Sequence, residues 1–266
     1  MDVNLILIAV AIVSGVGLII GLILAVASAV MAVPTDEKVE ALTEALPGAN
    51  CGACGYSGCS GYAEALAKGE AKPGACSPGG DETVKALSEI LGVAAAAVDR
   101  KTALVHCMGS CDNTETKMNY QGVKSCSAAA AMHGGTGVCS YGCIGLGDCV
   151  GVCPYGAVSV CNGVARINPE LCRGCSLCVN ACPKHIISFV PARAQAVVRC
   201  SNCDKGAQAR KVCKSACIGC KKCEKVCEVG AISVKNFKAT VDIEKCTGCK
   251  ACIDACPQGC VTLYLP

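Results

Sequence analysis

Residues 139–158 read CSYGCIGLGDCVGVCPYGAV and residues 172–187 read CRGCSLCVNACPKHII; residues 213–232 read CKSACIGCKKCEKVCEVGAI and residues 246–261 read CTGCKACIDACPQGCV. Cys139, Cys143, Cys149, Cys153, Cys172 and Cys182 recur 74 residues later as Cys213, Cys217, Cys223, Cys227, Cys246 and Cys256. Cys175 and Cys178 recur at the same offset as Cys249 and Cys252. An ungapped duplication of this length marks one structural unit used twice.

Within each copy the spacing C-x2-C-x2-C-x3-C-P is the ligand run of bacterial iron–sulfur domains. Three thiolates in a tight loop hold three corners of a cubane. The fourth, a helical turn later, crosses to the other cluster. Cys172, Cys175 and Cys178 are therefore expected to share a 4Fe-4S cluster with Cys153, and Cys182 to serve the preceding arm. Likewise Cys246, Cys249 and Cys252 go with Cys227, while Cys217, Cys220 and Cys223 go with Cys256. Zinc ribbons or a disulfide scaffold are the competing readings. Zinc takes two CxxC pairs, not four-cysteine runs ending in Cys-Pro.

Composition bounds the rest. The chain has 266 residues and 28 cysteines, with 3% aromatics and no tryptophan. It is too long for a small secreted disulfide protein, and its cysteines fall in metal-ligand runs. Bound clusters would stand in for an aromatic core by cross-linking four chain positions each. The formal charge of +3 counts thiols as neutral, so cluster charge makes the surface more acidic. Lysines and arginines are scattered without interleaved aromatics, which argues against nucleic-acid binding.

Asn4 to Val33 carries no charge and exceeds the roughly 20 apolar residues that cross a bilayer. It reads as a single-pass anchor. A signal peptide is the alternative; it would begin with a basic region, and here only Asp2 precedes the run. Ala27-Ser28-Ala29 resembles a cleavage site and keeps that alternative open. Lys38 follows the span, so the positive-inside rule puts the remainder in the cytoplasm, at the inner or plasma membrane. Gly17, Gly21 and Ala25 share a face at small-xxx-small spacing.

Pro34 and Thr35 break the chain, and Thr35-Asp36-Glu37-Lys38 resembles a helix start. Val39, Leu42 and Leu46 form an apolar stripe, and Pro47-Gly48 ends it. Cys51, Cys54, Cys59 and Cys76 then make one self-contained site, for which zinc stays open as an alternative to 4Fe-4S.

A single span, then Asn50-Cys51-Gly52-Ala53-Cys54-Gly55-Tyr56-Ser57-Gly58-Cys59 with a later cysteine, then ferredoxin runs, resembles the B subunit of the Rnf membrane complex. The resemblance covers essentially the whole chain. It implies a ferredoxin:NAD oxidoreductase coupled to sodium or proton movement, whose B subunit takes electrons from soluble ferredoxin. It also implies multi-span partner subunits and a flavin- or NAD-binding partner. Many members carry one ferredoxin pair, whereas this chain carries two.

The predicted fold class is α+β, small and cluster-stabilised. An N-terminal transmembrane helix (1–33) leads to a four-cysteine 4Fe-4S domain (34–93) and a cysteine-bearing linker region (94–132). Two tandem bacterial-ferredoxin-like domains of βαββαβ type follow (133–192 and 193–266). Residues 81–105 read as a linker helix and a strand, with an alanine run at Ala94–Ala97.

One ambiguity concerns the ligands. Leu146 occupies the place of Cys220, so the first arm is one cysteine short. Either Cys139 completes Cys143, Cys149 and Cys182, or that site has a non-cysteine or missing corner. In the second case Cys107, Cys111, Cys126 and Cys139 form a sixth site, beyond five others. Cys126 also recurs 74 residues on as Cys200, and Cys200, Cys203 and Cys213 form an unexplained trio. His106 reads as a structural neighbour rather than a ligand, and Cys161 and Cys260 as buried thiols. Glu228 replaces the usual proline after Cys227 and is expected to alter the loop, not the ligand. Lys205, Arg210, Lys211, Lys221, Lys222 and Lys225 are either a solvated face or a docking face for an acidic carrier.

No G-x-G-x-x-G after a strand and no Walker loop occurs, so no separate active site is expected in this chain. The functional readings are an electron-transfer subunit of a membrane redox pump, an anchored polyferredoxin serving another reductase or hydrogenase, and a zinc- or thiol-based structural or sensor protein. Electrons are expected to pass from the C-terminal pairs to the Cys51–Cys76 site beside the membrane.

Overall fold

The computed structural model describes residues 3–30, 36–95 and 100–264. The Pro34–Thr35 break and the Ala96–Ala97 end of the alanine run lie outside them. Helix α1 (Val3–Val30) is uncharged throughout, and at 1.5 Å per residue its 28 residues reach about 42 Å, enough to cross a bilayer. Its most apolar stretch, Val10–Ala27, has no buried side chain, and Gly17, Gly21 and Ala25 lie open on it.

A small helical unit follows. Helix α2 (Glu37–Glu44) starts on Asp36, whose carboxylate accepts from the Lys38 amide at 3.1 Å. It packs on α3 (Cys59–Ala67) and α4 (Gly80–Leu91) through buried Leu42, Leu46, Leu66 and Leu87. At the centre is Tyr62, whose hydroxyl donates to the Lys72 carbonyl at 2.5 Å and accepts from the Ala75 amide at 3.3 Å. That pairing lets a phenol be buried at little cost. The predicted linker helix is thus α4, part of this unit's core.

The rest of the chain forms two similar units. In the first, β1 (Lys101–Val105) pairs antiparallel with β4 (Ile187–Pro191), and β2 (Val158–Cys161) forms a hairpin with β3 (Val164–Ile167). In the second, β5 (Ala196–Val198) pairs with β8 (Val261–Leu263), and β6 (Ile232–Lys235) with β7 (Lys238–Val241). The hairpin tips are Asn162-Gly163 and Asn236-Phe237, all at positive φ as a two-residue type I′ loop requires. Strand β1 therefore completes a sheet with a strand that follows both cluster loops, across the boundary expected near residue 132.

Short helices connect the strands: α5 (Cys126–Ala131), α6 (Asp148–Gly151) and α7 (Leu177–Ala181) in the first unit, α8 (Gly206–Val212), α9 (Lys222–Lys225) and α10 (Ala251–Asp254) in the second. The cores beneath them hold small aliphatics, such as Ala157, Val164 and Ile187 or Ala209, Ile232 and Ala239, mixed with buried cysteines. Leu104, Val190, Val197 and Tyr264 join the two units in a further apolar cluster, and Tyr264 hydrogen-bonds the buried hydroxyl of Thr102.

Candidate iron–sulfur centres

Each ferredoxin-type loop is shaped by a glycine two residues after its first cysteine. Gly145, Gly174, Gly219 and Gly248 have φ of 80, 67, 62 and 75°, a region in which L side chains are strained. The loop at Cys143 keeps this shape although Leu146 replaces its second thiol. Glu228 leaves its turn intact as well: Gly230 has φ 61°, against 60° for Gly156 behind Pro154.

These loops bring cysteines together in sets, and all 28 cysteines are free thiols. Cys153, Cys172, Cys175 and Cys178 line one hollow of about 320 Å³. Cys217, Cys220, Cys223 and Cys256 line another of about 320 Å³, together with Cys260. Cys227, Cys246 and Cys249 lie close enough to Cys252 to push its thiol up, behind burial as the larger cause. In the helical unit Cys76 is raised by burial and then by Cys54, Cys59 and Cys51. There Asn50 accepts the Cys59 amide at 2.8 Å, and a Cβ on Gly58 would sit 2.9 Å from the same Asn50 oxygen, so only glycine fits.

The short arm of the first unit places its cysteines in a way that neither sequence-based alternative included. Cys126 lines a hollow of about 340 Å³ with Cys143, Cys149 and Cys182, and Cys139 does not. The Asp148 carboxylate holds Cys126 there. It accepts from the Cys126 amide at 2.7 Å, the Ser127 amide at 3.0 Å, and the hydroxyls of Ser125 and Ser127. The grouping of Cys107, Cys111, Cys126 and Cys139 does not form. Cys111 is exposed against the tip of the β2–β3 hairpin, where a Cβ on Gly163 would meet its sulfur at 2.7 Å. Cys107, Cys139, Cys200 and Cys213 instead face a separate hollow between the units, while Cys203 turns its thiol to the Ser201 carbonyl at 3.6 Å.

Three smaller expectations are resolved. His106 donates from Nδ1 to the Val198 carbonyl at 2.7 Å and accepts at Nε2 from Ser188 at 2.6 Å, so both ring nitrogens are engaged. Burial lowers its pKa and keeps it neutral. Cys260 is buried, 2% exposed, but Cys161 is exposed, on the outward face of β2 rather than in the core.

The donor sets fit iron–sulfur clusters. Burial, followed by neighbouring thiols, pushes Cys149 up to about 11, Cys178 to about 12 and Cys223 to about 11. Four thiolates gather in such a place only against the positive charge of a metal centre. Backbone amides already point at the sulfurs: Ala103 at Cys172 (3.4 Å), Ala165 at Cys143 (3.5 Å) and Ala231 at Cys227 (3.2 Å). Such N–H···S bonds orient cluster ligands and tune them. Among the described residues no three His, Cys, Asp or Glu side chains close round a single ion, whereas cubane corners stand further apart.

These features define a ferredoxin-type iron–sulfur protein carrying an apolar N-terminal helix. Residues 46–78 match a family described as "Putative Fe-S cluster", residues 216–260 a 4Fe-4S dicluster domain and residues 165–188 a 4Fe-4S binding domain. The chain is 41% identical over 91% of its length to the B subunit of the Na(+)-translocating ferredoxin:NAD(+) oxidoreductase complex of Acetobacterium woodii, covering 73% of that protein. It is 37% identical over 89% of its length to the B subunit of the ion-translocating oxidoreductase complex of Methanosarcina acetivorans, covering 90% of it. Against the B subunit of the proton-translocating ferredoxin:NAD(+) oxidoreductase complex of Clostridium ljungdahlii the identity is 35%, with 85% of this chain and 81% of that one covered. The chain belongs to the B-subunit family of the ion-translocating, or Rnf, oxidoreductase complexes.

Proposed function

We propose that this chain is the membrane-anchored electron-transfer subunit of an ion-translocating redox complex. It accepts electrons from reduced ferredoxin and relays them to membrane partners, within a complex that couples ferredoxin:NAD+ oxidoreduction to Na+ or H+ transport. The observation that carries the reading is the repetition of four-cysteine sets behind an apolar helix. When bound, 4Fe-4S clusters would supply one-electron relays at these sets. Within this chain the residues hold, orient and electrostatically tune them.

Five ligand sets follow: Cys51, Cys54, Cys59 and Cys76; Cys126, Cys143, Cys149 and Cys182; Cys153, Cys172, Cys175 and Cys178; Cys217, Cys220, Cys223 and Cys256; and Cys227, Cys246, Cys249 and Cys252. In this reading α1 is the anchor and the two β-containing units are tandem ferredoxin-like domains on the cytoplasmic side, the side favoured by Lys38. Entry is at the second unit. Its Cys220 and Cys249 are the exposed members of these five sets, and exposed Lys221, Lys222 and Lys225 flank Cys220. An acidic ferredoxin would be steered there by charge. Exit is at the Cys51–Cys76 set, the nearest in sequence to α1.

The test is Cys54→Ala in the assembled complex. Electron flow to the membrane partners is expected to stop, while ferredoxin still reduces the sets of the other two units. Undiminished flow in that variant would refute the order.

A further inference from the structure

We propose that Cys107, Cys139, Cys200 and Cys213 hold a sixth iron–sulfur cluster at the junction of the two repeated units, joining their ligand sets into one series. The inference rests on the electron-relay reading above. All four cysteines line a single hollow. They arrive from four separate segments, two leading into the first unit's arm and two into the second's. A Cβ on Gly109 would lie 3.5 Å from the Cys107 sulfur and 3.7 Å from the Cys213 sulfur, so the two thiols face the same point.

Donors aimed at these sulfurs are in place. Cys107 receives the amides of Gly109 and Cys143, both at 3.4 Å. Cys200 receives those of Asn202 at 3.4 Å and Cys217 at 3.2 Å. Asn202, only 1% exposed, directs its side-chain amide at the Cys139 sulfur at 3.6 Å. A buried amide donor facing sulfur is what a thiolate bound to metal requires. The four thiols are soft donors, and the neighbouring His106 is engaged elsewhere, which selects iron–sulfur chemistry over oxygen-liganded metals.

The walls are also clamped across the two units. Thr114 donates to the Val212 carbonyl at 2.7 Å, the Lys214 amide to the Asn113 carbonyl at 2.8 Å, and Ser201 to the His106 carbonyl at 3.1 Å. Cys143 and Cys217, whose amides touch the junction sulfurs, are themselves ligands in the sets on either side. A single residue therefore links the junction to each neighbouring set.

The experiment is iron, zinc and acid-labile sulfide per chain in the anaerobically purified complex, with EPR, for wild type, Cys213→Ala and Cys203→Ala. Cys213→Ala is expected to lose about four irons with matching sulfide, and Cys203→Ala none. Should Cys213→Ala not accumulate, Cys139→Ala, which keeps three thiols, is expected to show a new three-iron EPR signal or the same loss. Wild-type iron and sulfide in these junction variants, or zinc at this site, would overturn the sixth cluster alone. A wild-type protein without labile sulfide would overturn the relay reading with it.

Discussion

At equivalent places in the two repeated units, Leu146 stands where Cys220 does, Asp148 where Lys222 does, and Ile186 where Cys260 does. The first two differences act together. With Leu146 the first arm lacks a thiol, and Asp148 draws the N-terminus of α5 inward so that Cys126 supplies it. In the second unit Cys220 fills that corner. Cys200, the counterpart of Cys126, is left free to face the junction. One duplicated pattern has thus produced two ways of bringing four cysteines to one hollow, and leaves Cys200 lining another.

The largest expected effect tests this exchange directly. Cys126→Ala removes a corner from the Cys143, Cys149 and Cys182 set, and one cluster's worth of iron, about four atoms, is expected to fall to three or none. Adding Leu146→Cys to that variant restores the arrangement of the second unit and is expected to restore the iron. Cys200→Ala is expected to leave the Cys217–Cys256 set loaded. Loss of that set in Cys200→Ala, or no recovery in the double variant, would show that the two corners are not interchangeable.

Asp148→Ala is the next test, because it leaves every thiol in place. The carboxylate satisfies donors at the N-terminus of α5, as a helix cap does. Its removal is expected to speed iron loss from that set to a chelator roughly fivefold, the weight of about 1 kcal/mol for a partly exposed hydrogen-bond set. Burial raises the Asp148 carboxyl, but the Ser127 and Cys126 amides and the Ser125 hydroxyl outweigh it and hold it below the ordinary range. Its contribution is therefore complete above about pH 4 and lost as the pH falls further. Equal chelation rates in wild type and Asp148→Ala would separate Cys126 placement from this cap.

Legibility follows the range of the interaction. The C-x2-C-x2-C runs can be read because their geometry is set within a few residues by the intervening glycine, and the crossover cysteines because each helix is a single turn. The four-cysteine motif at Cys51 is equally local. The place of Cys126 in the first arm is not legible, because its recruitment depends on a carboxylate 22 residues away, and Leu146 signals only that something is missing. Asp148 in place of Lys222 is the available clue. Strand β1 reads as part of a linker because its partner β4 lies beyond both cluster loops, and a run of five residues, four of them buried, carries no record of the strand it pairs with. The junction cysteines can be counted but not grouped in the sequence, since they meet only once the two units dock.

The smallest expected effect concerns Ile186 and Cys260, which line corresponding hollows without being fourth corners. The Cys260 sulfur lies 3.6 Å from that of Cys256. Its thiol also faces Cys217, and donation from Cys260 is the leading reason that Cys217 and Cys256 are pushed down to about 6 and about 5. A thiol that keeps its proton and donates it to a neighbouring ligand sulfur stabilises the more negative, reduced state of whatever that sulfur binds. Ile186 offers the first unit no such donor. Cys260→Ile is therefore expected to lower the reduction potential of the second-unit centre by roughly 40 mV, one weak hydrogen bond of about 1 kcal/mol expressed per electron. Ile186→Cys is expected to raise the first-unit centre by a similar amount. An EPR-monitored redox titration reads both. Opposite shifts in the two variants would make this position a potential-setting difference between the units, whereas two unmoved potentials would reduce Cys260 to packing.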